Sequence, residues 1–222
     1  MRLVLASNNP GKLAELADLF APLGVELVAQ GTLGIDEADE PHVTFIENAL
    51  AKARHAARAA GGAAIADDSG LCVDVLGGAP GVASAHFAPI EREAGEEREA
   101  FRRRQDLANN RRLLELLRGE RRRGAHFVAT LVALRRADDP EPVVAIGRWA
   151  GDLLEAPRGT GGFGYDPLLY LPSFDRTVSI KRFVEQTPTF ISRDEHSQCH
   201  RSPQELSTLR TTELALEQLP LP

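Results

Sequence analysis

Cysteine is nearly absent from this chain, with Cys72 and Cys199 the only two among 222 residues. Two thiols cannot make a disulfide framework or, by themselves, a zinc site. Cys72 sits in an apolar run and reads as a buried thiol. Positive charge is not in excess either, since the formal net charge is −6. That argues against a general nucleic-acid binder, which wants a basic footprint. A negative protein that handles phosphates must gather lysines, or a metal, in one place. No apolar run approaches the roughly 20 residues of a membrane helix, and the stretch from Met1 to Ala6 is too short for a signal peptide. The expectation is a cytoplasmic protein with no membrane partner. His42, His55, His86 and His126 show no metal-ligand spacing, and no internal repeat is present.

What is there is an ordinary globular composition, 43% apolar and 26% charged, enough for one sizeable core or two closely packed lobes. Arg2 to Ala6 reads as a buried strand. Pro10 opens a helix with Leu13, Leu16, Ala17 and Phe20 on one face, and Val25 to Ala29 is a second strand. A helix runs from Thr44 to about Ala60, with Thr44 and Glu47 as a capping box. Ala63 to Ala66 is strand-like and leads into two aspartates, and Gly77 to Gly81 is a loop. From Glu91 to Arg118 the chain is charged and helical, with Leu107, Leu113, Leu114 and Leu117 as candidate core positions. Phe127 to Leu134 and Val143 to Trp149 are strands around the turn-prone Asp138-Asp139-Pro140. Strands and helices interleave, so the fold class is α/β.

Four stretches carry the chemistry. In Ser7-Asn8-Asn9-Pro10-Gly11-Lys12, Asn9 is a favoured N-cap and Pro10 a favoured first helical residue. Helix dipole and Lys12 together make an anion site there, although the Walker A spacing is missing. The second stretch, Thr44-Phe45-Ile46-Glu47-Asn48-Ala49, is a helix start in which Glu47 and Asn48 need be no more than capping residues. In the third, Asp67-Asp68-Ser69-Gly70 follows a short strand. Adjacent carboxylates at a strand end repel, and Mg²⁺ relieves that repulsion while it also takes substrate phosphates. An aspartate beside such a metal can accept a proton from attacking water; an Asp-Ser-Gly turn is the plainer alternative. Glu40 could complete the metal site, whereas Asp36, Glu37 and Asp39 read as a solvated loop. The fourth is the glycine-rich run Gly161-Gly162-Phe163-Gly164-Tyr165-Asp166-Pro167. Its glycines allow close approach to a ligand, Phe163 or Tyr165 could stack on a base, and Asp166 could meet a ring N–H or fix the loop. Arginine groups at 102–104, 111–112 and 121–123 alternate with glutamates and read as solvated helix faces.

With these motifs in this order, the chain from Met1 to about Thr177 resembles the inosine triphosphate pyrophosphatase family. The resemblance implies an α/β fold with a long central mixed sheet, helices forming two lobes, and an active-site cleft. It implies a homodimer that hydrolyses ITP, dITP and XTP to monophosphate and pyrophosphate in one step. Ser7, Asn8, Asn9, Pro10, Gly11 and Lys12 match the triphosphate-binding stretch. Asp68 matches the proton acceptor and a Mg²⁺ ligand, Glu40 a second acidic residue at the metal, and Ser69 a substrate contact. Phe163, Gly164, Tyr165 and Asp166 match the base-binding loop.

Residues 1–177 therefore form the pyrophosphatase domain, and 178–222 are an atypical C-terminal segment. Alanine nearly vanishes after Val178, and Pro188, Pro203 and the closing prolines punctuate the rest. The family's lysine and Ser-His-Arg find counterparts only in Lys181 and in Cys199-His200-Arg201, which makes His200 and Arg201 candidate substrate contacts. At most one short helix is expected, near Glu205 to Leu219. A catalytically impaired nucleotide-binding homologue is the alternative, and an arginine-rich helix serving nucleic acid a third reading.

Overall fold

The structure is a computed structural model that describes residues 2–159 and 161–178. Lys181, Cys199, His200, Arg201 and the helix expected near Glu205 to Leu219 lie outside the described residues. The regular elements are β1 (Arg2–Leu5), α1 (Pro10–Phe20), β2 (Glu26–Ala29), α2 (Phe45–Ala60), β3 (Ala64–Val73), α3 (Arg98–Leu116), β4 (Gly124–Leu134), β5 (Val143–Leu153), β6 (Leu169–Leu171) and β7 (Arg176–Thr177). The strands form one sheet in the order β2-β1-β3-β4-β5-β6-β7. β1 is parallel to both β2 and β3, whereas β6 is antiparallel to β5 and to β7, so the sheet is mixed, as expected.

The chain forms two compact units. One holds residues 2–69 with Ala129–Gly147, and the other Gly70–Val128 with 148–178. Their boundaries fall within β3, β4 and β5.

In the first unit, β1 continues through α1 into parallel β2, while β3 pairs on the other side of β1. Such a reversal of strand order around β1 is where open α/β sheets place their ligands, at the carboxyl ends of the strands. Pairing of Val4 with Ala64 and Leu5 with Ile65 sets the level of everything beyond. β1 stops at Leu5, but β3 continues, so its next residues stand beside the loop that follows β1. One face of the sheet carries Val4, Ala64 and Ala66 against Ala49, Ala53, Ala56 and Ala57 of α2, all of them buried. Small side chains let that helix lie close to the sheet. The other face carries Leu3, Leu5 and Ile65 against fully buried Phe20 of α1. Phe20→Ala would cost about 3–5 kcal/mol, the usual loss for a buried aromatic.

The second unit's core joins Leu71 and Val73 of β3 to Leu113, Leu117, Leu153, Tyr165, Leu168, Leu169 and Leu171. Two sequence expectations fail in this unit. Leu107 is 58% exposed, and the inward face of α3 is largely polar, with Gln105, Asn109 and Asn110 buried beside Leu113. These amide side chains meet backbone atoms, which periodicity of apolar residues cannot reveal. Cys72 is only half-buried, at an outward position of β3, although burial still pushes its thiol pKa up.

Candidate active site

The Ser7–Lys12 stretch folds as its residue types dictate. Asn9 Oδ1 accepts the N–H groups of Gly11 at 3.0 Å and Lys12 at 3.5 Å, and Pro10 takes the position where an N–H would be idle. The Asn9 N–H in turn reaches Ser7 Oγ at 3.2 Å. Asn8 Nδ2 donates to Glu37 Oε1 at 3.0 Å, and a side chain on Gly31 would collide with Asn8 Oδ1. Glu37 therefore holds the loop after β1, a job its place in an acidic run does not announce.

Asp67 and Asp68 are not at a strand end. They lie in the middle of ten-residue β3, where successive side chains point to opposite faces. Expected repulsion between neighbours is replaced by separate pairing. Asp67 continues the Ile65 face toward α1, where the Lys12 ammonium meets its Oδ2. Lys12 also donates to Ser69 Oγ at 3.3 Å, two residues along on the same face. Asp68 continues the Ala64–Ala66 face toward α2. There Lys52 Nζ lies 3.4 Å from its Oδ1, and Asn48 Nδ2 donates to its Oδ2 at 3.2 Å. The same ammonium is 3.0 Å from Glu40 Oε1, so Glu40 and Asp68 converge on one cation.

Sequence reasoning missed Asn48 and Lys52. Thr44 and Glu47 do form the cap: the Glu47 N–H donates to Thr44 Oγ1 at 3.3 Å, and that hydroxyl donates to Glu47 Oε2 at 2.6 Å. The Asn48 side chain takes no part in it. It is 1% exposed, and besides Asp68 it grips the backbone of His42, accepting from its N–H at 3.0 Å and donating to its carbonyl at 3.2 Å. One signal was available: Asn48, Lys52 and Ala56 recur every four residues on the alanine stripe, which places both polar residues on the buried face.

Burial raises the pKa of Asp68, with the Glu40 charge adding to it, and Lys52 and Asn48 pull the other way without cancelling the rise. Burial alone would lower the pKa of Lys52, but the charges of Asp68 and Glu40 outweigh it and hold the ammonium charged. A buried carboxylate held by an ammonium and an amide is suited to accepting a proton from a water. The donor set also suits Mg²⁺, which takes one or two carboxylates together with water and phosphate oxygens.

In the second unit, the run after β5 closes on itself. Asp166 Oδ2 accepts the Phe163 N–H at 2.8 Å, and the Asp166 N–H donates to the Phe163 carbonyl at 3.2 Å. A side chain on Gly162, whose φ is +75°, would run into Asp166. Asp166 thus fixes the turn. Its two aromatics differ: Phe163 is 57% exposed, whereas Tyr165 is 3% exposed and donates from its hydroxyl to the Ser84 carbonyl at 3.0 Å. Gly164 is held on both sides by α3, its N–H reaching Asp106 Oδ2 at 3.0 Å and its carbonyl accepting from Asn110 Nδ2 at 3.0 Å.

A capped helix start after a parallel strand, with paired lysines and carboxylates beside it and a glycine-rich aromatic turn elsewhere, is the kind of arrangement found in nucleotide-processing α/β proteins. This chain belongs to the Ham1 family, which matches residues 3–185. It is 68% identical over 181 residues to the dITP/XTP pyrophosphatase of Leptothrix cholodnii, covering 81% of this chain and 85% of that one. With the enzyme of the same description from Paracidovorax citrulli it shares 50% over 209 residues, 94% of this chain and 97% of the relative. The HAM1 protein of Coxiella burnetii has a similar structure, with a TM-score of 0.73, 33% identity, and coverage of 99% and 96% of the two chains.

Proposed function

We propose that this protein hydrolyses deaminated purine nucleoside triphosphates, ITP, dITP and XTP, to the monophosphate and pyrophosphate, which keeps them out of nucleic acid. The observation that carries the reading is Asp68, a buried carboxylate with both oxygens held, three residues past the level of Ile65 where β1 ends. Membership of the Ham1 family and 68% identity to a dITP/XTP pyrophosphatase support the substrate class.

Asp68 accepts the proton of a water whose oxygen bonds to the α-phosphorus. The bond from that phosphorus to the bridging oxygen breaks, and pyrophosphate leaves with the oxygen. Lys12, beside Ser69 at the start of α1, and the Asn9-capped helix end bring positive charge to the departing group. Ser7, Asn8 and Ser69 supply the neutral polar contacts. Glu40 and Asp68 would hold a Mg²⁺ ion, which when bound neutralises charge on phosphoryl oxygens. Phe163 offers its ring to the base.

ITP is expected to yield IMP and pyrophosphate in equal amounts. IDP accumulating with orthophosphate would overturn the reading. A homodimer and a cytoplasmic location belong to the same proposal. No helix among the described residues is long and apolar enough to cross a membrane, and light scattering at micromolar concentration tests the dimer.

A further inference from the structure

The glycine-rich turn that carries Phe163 owes its position to α3. We infer that Asp106 and Asn110 are a pair of positioning residues that clamp Gly164 and so set where the Phe163 ring meets the base; this rests on the reading of that turn as the base-binding loop. Asp106 and Asn110 are one helical turn apart, so both point from the same face of α3. One takes the N–H of Gly164 and the other its carbonyl, each at 3.0 Å. A single residue of the loop is therefore fixed at both polar backbone atoms by a rigid helix, one position after the exposed ring.

The helix in turn is anchored through its neighbour. Asn109 accepts the N–H of Ala88 at 2.8 Å and donates to the carbonyls of Ser84 and Ala85, both at 3.1 Å. Tyr165, adjacent to Gly164, donates to that same Ser84 carbonyl. Loop and helix thus share one backbone anchor, and the clamp has no slack to take up.

The chemistry at the two clamp positions is one-sided. Asn110 is 7% exposed, and its Oδ1 is buried with no hydrogen-bond partner among the described residues. Only its N–H₂ donor serves the loop. Asp106 serves only as an acceptor, and burial raises its carboxyl pKa while the Gly164 N–H opposes the rise. The clamp needs an acceptor at 106 and a donor at 110. Both groups already satisfy Gly164, so its N–H and carbonyl are spent on position and not on reading the base.

Steady-state kinetics on ITP and ATP, with inorganic tripolyphosphate as a competitive probe of the phosphate site, test this. Asn110→Asp keeps the shape and removes the donor. It is expected to raise KM for ITP roughly 5–20-fold, the scale of one hydrogen bond lost from a buried group. Preference for ITP over ATP should narrow, with kcat and the tripolyphosphate inhibition constant unchanged. Asp106→Ala should do the same, and Asp106→Asn, which keeps an acceptor, should restore KM to within about twofold of the parent, since the neutral bond survives. Phe163→Ala is the reference for the loop itself. If it raises KM while Asn110→Asp and Asp106→Ala do not, the clamp is refuted and the loop reading stands. If Phe163→Ala leaves KM unchanged, the loop reading falls and the clamp falls with it. A parallel rise in KM and in the tripolyphosphate constant would mean general disruption and overturn the inference. Thermal melting separates a variant that does not fold, in which case Asn110→Asp, the near-isosteric change, decides.

Discussion

The region around Asp68 and the region around Gly164 are each held by different forces. Around β3, α1 and α2, the polar groups are charged and paired: Lys12 with Asp67, and Lys52 with both Asp68 and Glu40. Around Gly164 they are hydrogen bonds from side chains to backbone atoms, made by Asp106, Asn109, Asn110 and Tyr165. Ion pairs can exchange partners when a polyanion arrives, because the ammonium groups that neutralise carboxylates neutralise phosphates equally well. Backbone-directed hydrogen bonds offer no such exchange. Phosphate chemistry tolerates, and needs, groups that trade partners, whereas shape recognition of a ring needs a surface that does not move.

That contrast predicts the largest effect at Asp68. Asp68→Asn should lower kcat for ITP by at least about 10²-fold, the scale of a lost general base. It should leave the melting temperature level or higher, since burial disfavours the charge it removes. Near-normal turnover in a folded variant would break the assignment. Lys12→Ala comes next. It should weaken ITP binding by about 1.5–3 kcal/mol, the value of a charge-assisted hydrogen bond, and leave inosine binding alone. Equal losses for both ligands would mean that Lys12 supports structure, as the other region's residues do.

In that other region the reverse pattern is expected. Asn109→Ala removes four hydrogen-bond contacts, to Ala88, Gln105, Ser84 and Ala85. It should cost about 1–3 kcal/mol in a urea melt, the penalty for unpaired buried groups, with the tripolyphosphate constant unmoved. A shifted constant would dissolve the contrast between the regions.

The smallest effect concerns a charge that does no chemistry. Asp139, 1% exposed in the turn between β4 and β5, accepts from the backbone N–H groups of Arg135 and Glu141 and from the Arg135 guanidinium. The guanidinium is the main cause that holds its pKa well below the ordinary carboxylate value. A depressed folded pKa means stability that is present above the unfolded pKa, about 3.9, and is lost as pH falls through the folded one. The melting-temperature gap between the parent and Asp139→Asn should be full at pH 7 and shrink steadily below pH about 4. Turnover of Asp139→Asn at pH 7 should match the parent. A gap that grows toward acid would contradict the sign.

Much of this was legible in the residues. Asn9-Pro10 announced the start of α1, Thr44 and Glu47 the start of α2, and the alternation of strand and helix the fold class, because caps and periodicity are local properties. The order of the motifs pointed to the family. What stayed hidden depends on neighbours distant in sequence. Ending β3 at Ala66 seemed natural because two aspartates interrupt an apolar run, yet each is neutralised by a lysine from a different helix. Lys52 drew no reading at all, since its partners Asp68 and Glu40 lie elsewhere in the sequence. Leu107 read as core because periodicity counts apolar residues, and α3 buries amides. Tyr165 and Phe163 looked alike in sequence, and only the Ser84 carbonyl separates them.

The position of Asp67 and Asp68 on one strand gives this enzyme a parity. Odd-numbered residues of β3 from 65 to 69 serve α1, and even-numbered ones from 64 to 68 serve α2. Exchanging one side chain leaves that assignment intact. Adding or deleting a single residue between Ala64 and Asp67 reverses it, turning Asp68 toward Lys12 and Asp67 toward Lys52 and Glu40. Drift in the gene can therefore explore substitutions along this strand, but not changes in its length.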